Sequence, residues 1–176
     1  NRRLATMAQE LGFALGLGSQ RAMLESPELA ASFSVRDLAP DVPLLGNIGL
    51  VQLNYGVTVD QVCWLVEAVG ADGLAVHLNV LQELVQPEGD RRWAGLVDKL
   101  EVLVRSCPVP VMLKETGCGL DAASARTAVD LGVAALDIGG AGGTSWGWIE
   151  GFRAADPQRK AIGATFREWG SPTAQA

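Results

Sequence analysis

"DGLAVHLN", residues 72–79, is the stretch on which the fold turns. The two-residue period of a strand sends Leu74, Val76 and Leu78 to one face and Ala75, His77 and Asn79 to the other. The aliphatic face suits a layer of helices. The opposite face ends in the only histidine of the chain and an amide. The chain continues as "VLQELVQPEGD", which adds Gln82, Glu83 and two further acids directly after the strand. The same residues can be an ordinary strand-to-loop turn or the wall of a ligand site.

Outward from this strand, extended and helical periods alternate. Upstream, "FALGLGS" and "VPLLGNIG" read as strands; downstream, "VPVMLKE" and "VAALDIGG" do, giving five. Between them, Leu4, Met7, Ala8 and Leu11 fall at helical spacing. In "SPELAASF", Ser26 is placed to cap a helix with Pro27 at its first position. Thr58 and Gln61 form a capping-box pair ahead of Val62, Leu65, Val66 and Val69. Trp93, Leu96, Val97, Leu100, Leu103 and Val104 make another stripe, and Asp121 caps a further helix.

Strands that read as apolar runs and alternate with helices predict a parallel sheet in an α/β protein. The chain opens inside a helix, and Ser171 and Pro172 of "GSPTAQA" are placed to start another. The expectation is therefore one domain over residues 1–176: a (β/α)8 TIM barrel lacking roughly one strand before it and two after it. A doubly wound sheet is the other way to arrange five such strands.

Composition narrows the function classes. The 176 residues are 48% apolar, enough for one sizeable core. The apolar runs break well before the roughly 18 residues of a membrane span, and "NRRLATMAQELG" lacks the form of a secretory signal. Three cysteines without a CxxC predict neither a disulfide framework nor a zinc site, and a reducing, cytoplasmic setting. With 14 basic against 20 acidic residues, net −6, no nucleic-acid surface is expected.

If the strands belong to a barrel, polar residues gather at their C-terminal ends, where such folds place chemistry. These are Ser19, Gln20 and Arg21, Asn47, His77 and Asn79, Lys114 and Glu115, and Gly139 to Thr144. Each also has a plain structural reading. A strand-end histidine is commonly a satisfied core group, Lys114 can pair with Glu115, "QPEGD" is good turn sequence, and Gly-rich βα turns such as "GGAGGTSW" need hold no phosphate. "GLGSQR" does not fit a dinucleotide fingerprint. Convergence on one rim favours a site.

"GLGSQR", "GNIGLVQ", "HLNVLQELVQPEGD", "VMLKETGCG" and "DIGGAGGTSW", in this order and spacing, closely resemble the type 2 isopentenyl diphosphate isomerase family. The resemblance implies an FMN-binding barrel that interconverts isopentenyl and dimethylallyl diphosphate, with NADPH as the initial reductant and a homo-oligomeric state. It implies flavin contacts at Ser19, Asn47, Lys114 and Thr144, with Lys114 facing the pyrimidine edge of the ring. Ser19, Gln20, Arg21, His77 and Asn79 then belong to the substrate side, Gln82 sits beside the reacting alkene, and Glu83 ligates Mg²⁺. A carboxylate with Mg²⁺ and an arginine fork is the physical clamp a diphosphate calls for. Three family features have no counterpart here: the N-terminal basic and histidine motif, the Met-Thr-Gly-Gly flavin loop, and the later Gly-rich strands that hold the FMN phosphate.

Two other readings remain at this level. One is a different FMN barrel, of the 2-hydroxy-acid oxidase or dihydroorotate dehydrogenase type, in which the flavin does net redox work. The other is a non-catalytic binding module.

Overall fold

The computed structural model describes residues 1–176. Five strands run in parallel in the order of the chain: β1 (Leu15–Gly16), β2 (Leu44–Gly49), β3 (Gly73–Leu78), β4 (Val111–Glu115) and β5 (Ala135–Asp137). Nine α-helices surround or connect them: α1 (Arg2–Leu11), α2 (Arg21–Glu25), α3 (Ala30–Phe33), α4 (Val59–Val69), α5 (Val80–Val85), α6 (Leu96–Ser106), α7 (Ala122–Asp130), α8 (Trp146–Arg153) and α9 (Pro157–Thr165).

The five strands, their parallel pairing and the α/β class agree with the sequence reading, and the eight-stranded TIM barrel does not. β1 pairs only with β2 and β5 only with β4, so the sheet has two edges and no closure. Closing a cylinder requires the first strand to meet the last, and five twisted strands of this length do not turn far enough. The strictly sequential order also excludes a doubly wound sheet, which reverses direction at a switch point.

Sequential right-handed crossovers place their helices on one side of a sheet. On that side Leu44, Ile48, Leu74, Val76, Val111 and Leu113 are buried in the core. They pack against Val62, Leu65, Val66 and Val69 of α4 and Leu96, Leu100 and Leu103 of α6. The other side carries Asn47, His77 and Lys114, all half-buried. The split read from "DGLAVHLN" is therefore the split observed, except that β3 ends at Leu78 and Asn79 becomes the residue that opens α5.

Local chemistry explains where helices start. The Thr58 hydroxyl accepts from the Gln61 N–H while the Gln61 side chain accepts from Thr58 N–H, a complete capping box. Asp121 caps α7 through the N–H groups of Ala123 and Ser124, which hold its carboxyl below the usual range.

Three local expectations change. Ser26 makes no side-chain cap, and Pro27–Leu29 is a 3-10 turn ahead of α3. In α1, Leu4, Met7 and Leu11 are 59%, 54% and 60% exposed; Ala5 and Ala8 are the residues that dock. Ser171 and Pro172 start no helix: Pro172 forms a parallel bridge with Ala141, and a turn follows.

At the N-terminal ends of the strands, Arg36 acts as a bolt. Its guanidinium donates to the carbonyls of Ala39, Val42 and Gly70 and to Asp72, which also accepts from Leu44 N–H at 2.8 Å. No helix is long and apolar enough to cross a membrane.

Candidate functional site

The C-terminal strand ends hold two groups of polar side chains. The first lies across β2, β3 and β4. His77 pairs in register with Gly49 on one side and Lys114 on the other. Asn47 donates its amide N–H to Leu17 O at 2.8 Å, so its Oδ1 is the free acceptor, 2.9 Å from His77 Nδ1. His77 must then carry its proton on Nδ1, leaving a lone pair on Nε2. A Cβ on Gly49 would come within 2.9 Å of that Nε2, so glycine makes the room the ring needs. Burial first, and then the Lys114 ammonium, push the imidazole pKa down to about 4, so the ring is neutral near pH 7. The nearest acceptor to Lys114 Nζ is the carbonyl of Glu115, at 3.4 Å.

The second group is built on "HLNVLQELVQPEGD". Asn79 Nδ2 donates to Glu83 Oε1 at 2.7 Å and approaches Gln82 Oε1 at 3.5 Å. Glu83 Oε2 accepts from Asp90 N–H at 2.7 Å, so the carboxylate ties the loop back onto its own helix. Asp90 in turn accepts from Gln52 at 2.8 Å and from Arg21 at 3.0 Å. Gln82 Nε2 donates to Glu150 Oε1 at 3.1 Å, and Arg153 donates to the other Glu150 oxygen at 2.7 Å. A continuous polar chain thus runs from α2 to α8. Asn79 Oδ1 is buried within it and has no hydrogen-bond donor. Buried amide oxygens are seldom left so, which marks a point where a ligand donor or cation fits.

Beside Asn79 and Gln82, the β4–α7 turn closes a small hollow with Thr116, Gly117, Ser145 and Trp146. Its shape is set by Glu115, whose Oε2 accepts from the N–H groups of Thr116, Gly117 and Cys118 at 2.7, 2.8 and 2.5 Å. Burial, followed by the Glu115 charge, raises the Cys118 thiol to about 11, which keeps it protonated.

The remaining sequence-selected residues fall as follows. Arg21 reaches the polar chain through Asp90. Ser19 is exposed on the loop after β1, and Gln20 N–H donates to Asn47 O at 2.8 Å, bringing that loop against the first group. The Gln20 side chain, however, is fully buried: it donates to Leu65 O at 3.0 Å and accepts from Asn47 N–H at 2.9 Å, inside the core and away from the rim. Thr144 is exposed at the end of the Gly-rich loop after β5. Gly142 and Gly143 there face open space, while a Cβ on Gly139 would strike Glu115 O at 2.3 Å.

Asp90, Gln52 and Glu150 were not picked out from the sequence. Asp90 ends a stretch whose residues suit a turn, and Glu150 acts on Gln82 from 68 residues away. No group of three or more His, Cys, Asp or Glu side chains is placed to hold a metal ion. A cavity of about 450 Å³ between α5 and α9 is lined by Val80, Leu84, Ile162, Phe166 and Trp169 among others, and shares Leu81, Glu115 and Cys118 with the small hollow.

No family model matches the chain. Over 173 residues, 98% of its length, it is 50% identical to the isopentenyl-diphosphate delta-isomerase of Rickettsia rickettsii (strain Sheila Smith). Over 171 residues, 97% of its length, it is 52% identical to the protein of that name from Synechocystis sp.. The matched stretch is 51% of the first relative and 49% of the second, so the chain spans about half the length of the curated relatives it matches. Along nearly all of its own length, then, this chain is similar to one half of proteins named isopentenyl-diphosphate delta-isomerase.

Proposed function

We propose that this chain serves the interconversion of isopentenyl and dimethylallyl diphosphate, in the FMN- and Mg²⁺-dependent form of that reaction, with NADPH reducing the flavin beforehand. The observation that carries the proposal is the coincidence of about 50% identity to proteins named for this isomerisation with two polar groups that meet at one end of the sheet.

The residues suit a flavin. Lys114 offers a cation whose nearest partner is a carbonyl 3.4 Å away, so it is available to an electron-rich ring edge. Asn47 stands in the same row, Ser19 borders it, and the open glycines before Thr144 can approach an anion closely. Reduced FMN, when bound in this row, would supply the acid–base chemistry for moving a proton between the two ends of the alkene.

The chain's own residues bind and orient. Gln82 is a weak acid and acts by position: its amide is held by Glu150 from one side and by Asn79 from the other. Arg21, whose Nε pairs with Glu25 and whose Nη1 pairs with Asp90, offers the diphosphate its remaining Nη2 donors, with Ser19 beside it. His77, neutral and carrying its Nδ1 proton toward Asn47, receives a phosphate oxygen on Nε2 only by taking up a proton. Glu83 accepts one hydrogen bond on each oxygen and keeps a lone pair on each, and Asn79 Oδ1 adds another oxygen. Such hard oxygen donors suit Mg²⁺, which takes its remaining ligands from water and phosphate.

The test is to supply the chain with isopentenyl diphosphate, Mg²⁺, FMN and NADPH and follow the dimethylallyl product by NMR. Product that requires all four supports the proposal; flavin bound without product overturns it. That second outcome would favour a binding module.

A further inference from the structure

Cys63 lies in the middle of α4 and Cys107 closes α6, and both are partly exposed on the helical side of the sheet, away from the polar strand ends. α4 and α6 pack side by side through Val62, Val66, Leu100 and Leu103 in the core. This packing brings Cys63 Sγ to 3.7 Å from the carbonyl oxygen of Ser106, the residue before Cys107. The Cys63 S–H donates to that carbonyl, which belongs to the peptide bond leading into Cys107, so the two thiols lie on adjoining surfaces of the helix pair. Cys107 is backbone-ordered, its N–H bonded to Leu103 O at 2.8 Å. Neither thiol belongs to the polar site; Cys107 also packs its side chain against the core.

We propose that Cys63 and Cys107 form a dithiol site that closes to an intramolecular disulfide by exchange with a low-molecular-weight disulfide such as oxidised glutathione. In the first step the Cys107 thiolate attacks one glutathione sulfur, forming a mixed disulfide and releasing one glutathione thiolate. Cys107 is the attacking sulfur because the Cys63 S–H is engaged with Ser106 O and Cys63 is raised, beyond its burial, by Cys107, Asp60 and Glu67. The Cys63 thiolate then attacks the Cys107 sulfur, and the second glutathione leaves. Two protein thiols lose two electrons in total, and one glutathione disulfide becomes two thiols. The third cysteine, Cys118, follows the far end of β4 and takes no part.

Burial raises both thiols, and Cys63 is raised further by Cys107, Asp60 and Glu67. The attacking thiolate is therefore scarce at neutral pH, and the exchange rate climbs about tenfold per pH unit until a thiol titrates. The closed form ties α4 to the end of α6 across a loop that includes β3 and α5, which constrains the unfolded chain.

The experiment treats the native chain with oxidised glutathione at mildly alkaline pH, counts thiols, maps peptides without reduction and records the melting temperature. The expected result is a fall from three free thiols to one, a peptide joining Cys63 to Cys107, and a Tm higher by roughly 5 °C. Cys63→Ser should stop at a mixed disulfide on Cys107, with no cross-link and no gain in Tm. Three persisting thiols, a cross-link through Cys118, or a wild-type chain that also stops at the mixed disulfide overturns the proposal.

Discussion

His77 shows how burial sets the behaviour of a single residue. An unfolded histidine takes up its proton near pH 6.5, whereas His77 in the fold does so near 4. Between those values the unfolded chain binds more protons than the native one. The stability present above about pH 6.5 is therefore lost progressively as pH falls toward 4, by at most about 3 kcal/mol, and the loss levels off below that. Urea denaturation across that range should show the slope, and His77→Gln should flatten it. Lys114→Met should raise the His77 pKa only in part, because burial is the larger cause.

Glu83 gives a second test at this scale. Replacing it by Gln puts an N–H₂ where two donors now meet a carboxylate, at a cost of about 1–3 kcal/mol. Under the proposed function, Glu83→Gln should abolish Mg²⁺-dependent turnover while flavin fluorescence is still quenched on binding. If flavin binding and turnover fall together, in proportion to lost stability, Glu83 is a loop tie alone.

Among the elements, α8 and α9 approach one another closely. A Cβ on Gly163 would come within 2.8 Å of Gly151 Cα and 3.0 Å of Gly147 O, so these two helices cross almost backbone to backbone. Since α8 carries Glu150, the fit also fixes the partner of Gln82. Gly163→Ala should force the helices apart and cost about 1–3 kcal/mol in denaturant unfolding, and should lower turnover more than flavin affinity. Thr58→Ala, which removes half of the α4 capping box, should cost about 1 kcal/mol without touching the polar site. Elements of this kind differ in how well the sequence shows them. The α4 cap and the two faces of β3 are legible because both ends of each interaction lie within a few residues. The α1 stripe misleads because period reveals which side of a helix is apolar, and says nothing about whether anything covers that side. Glu150 is invisible for a related reason: its partner is remote in sequence, and a carboxylate inside a helix pattern looks solvated.

For the molecule as a whole, stability and the polar site sit at opposite ends of the strands. Arg36 holds four backbone or side-chain acceptors at the N-terminal ends, where Asp72 is kept ionised by Leu44 N–H and by the guanidinium itself. Arg36→Met should therefore lower stability by about 1–2 kcal/mol, through the part-buried carbonyls of Ala39 and Val42 left without their donor, while leaving the His77 titration where it is. Proton NMR of the ring alongside thermal unfolding separates the two effects. The number, order and direction of the strands were legible as alternating periods. The closed barrel was not, because closure depends on which edges meet in space, and periodicity carries no information on that.

The sequential order of β1 to β5 has a bearing on how the chain reaches this state. Each strand hydrogen-bonds to the one made just before it, so no pairing waits for a distant segment to emerge. A nascent chain can lay down strand, helix and strand as they leave the ribosome, with loop-closure entropy met in small instalments. The region made after β5, from the Gly-rich turn through α8 and α9, then docks onto a platform already formed, and the amide of Gln82 acquires its final orientation only at that step.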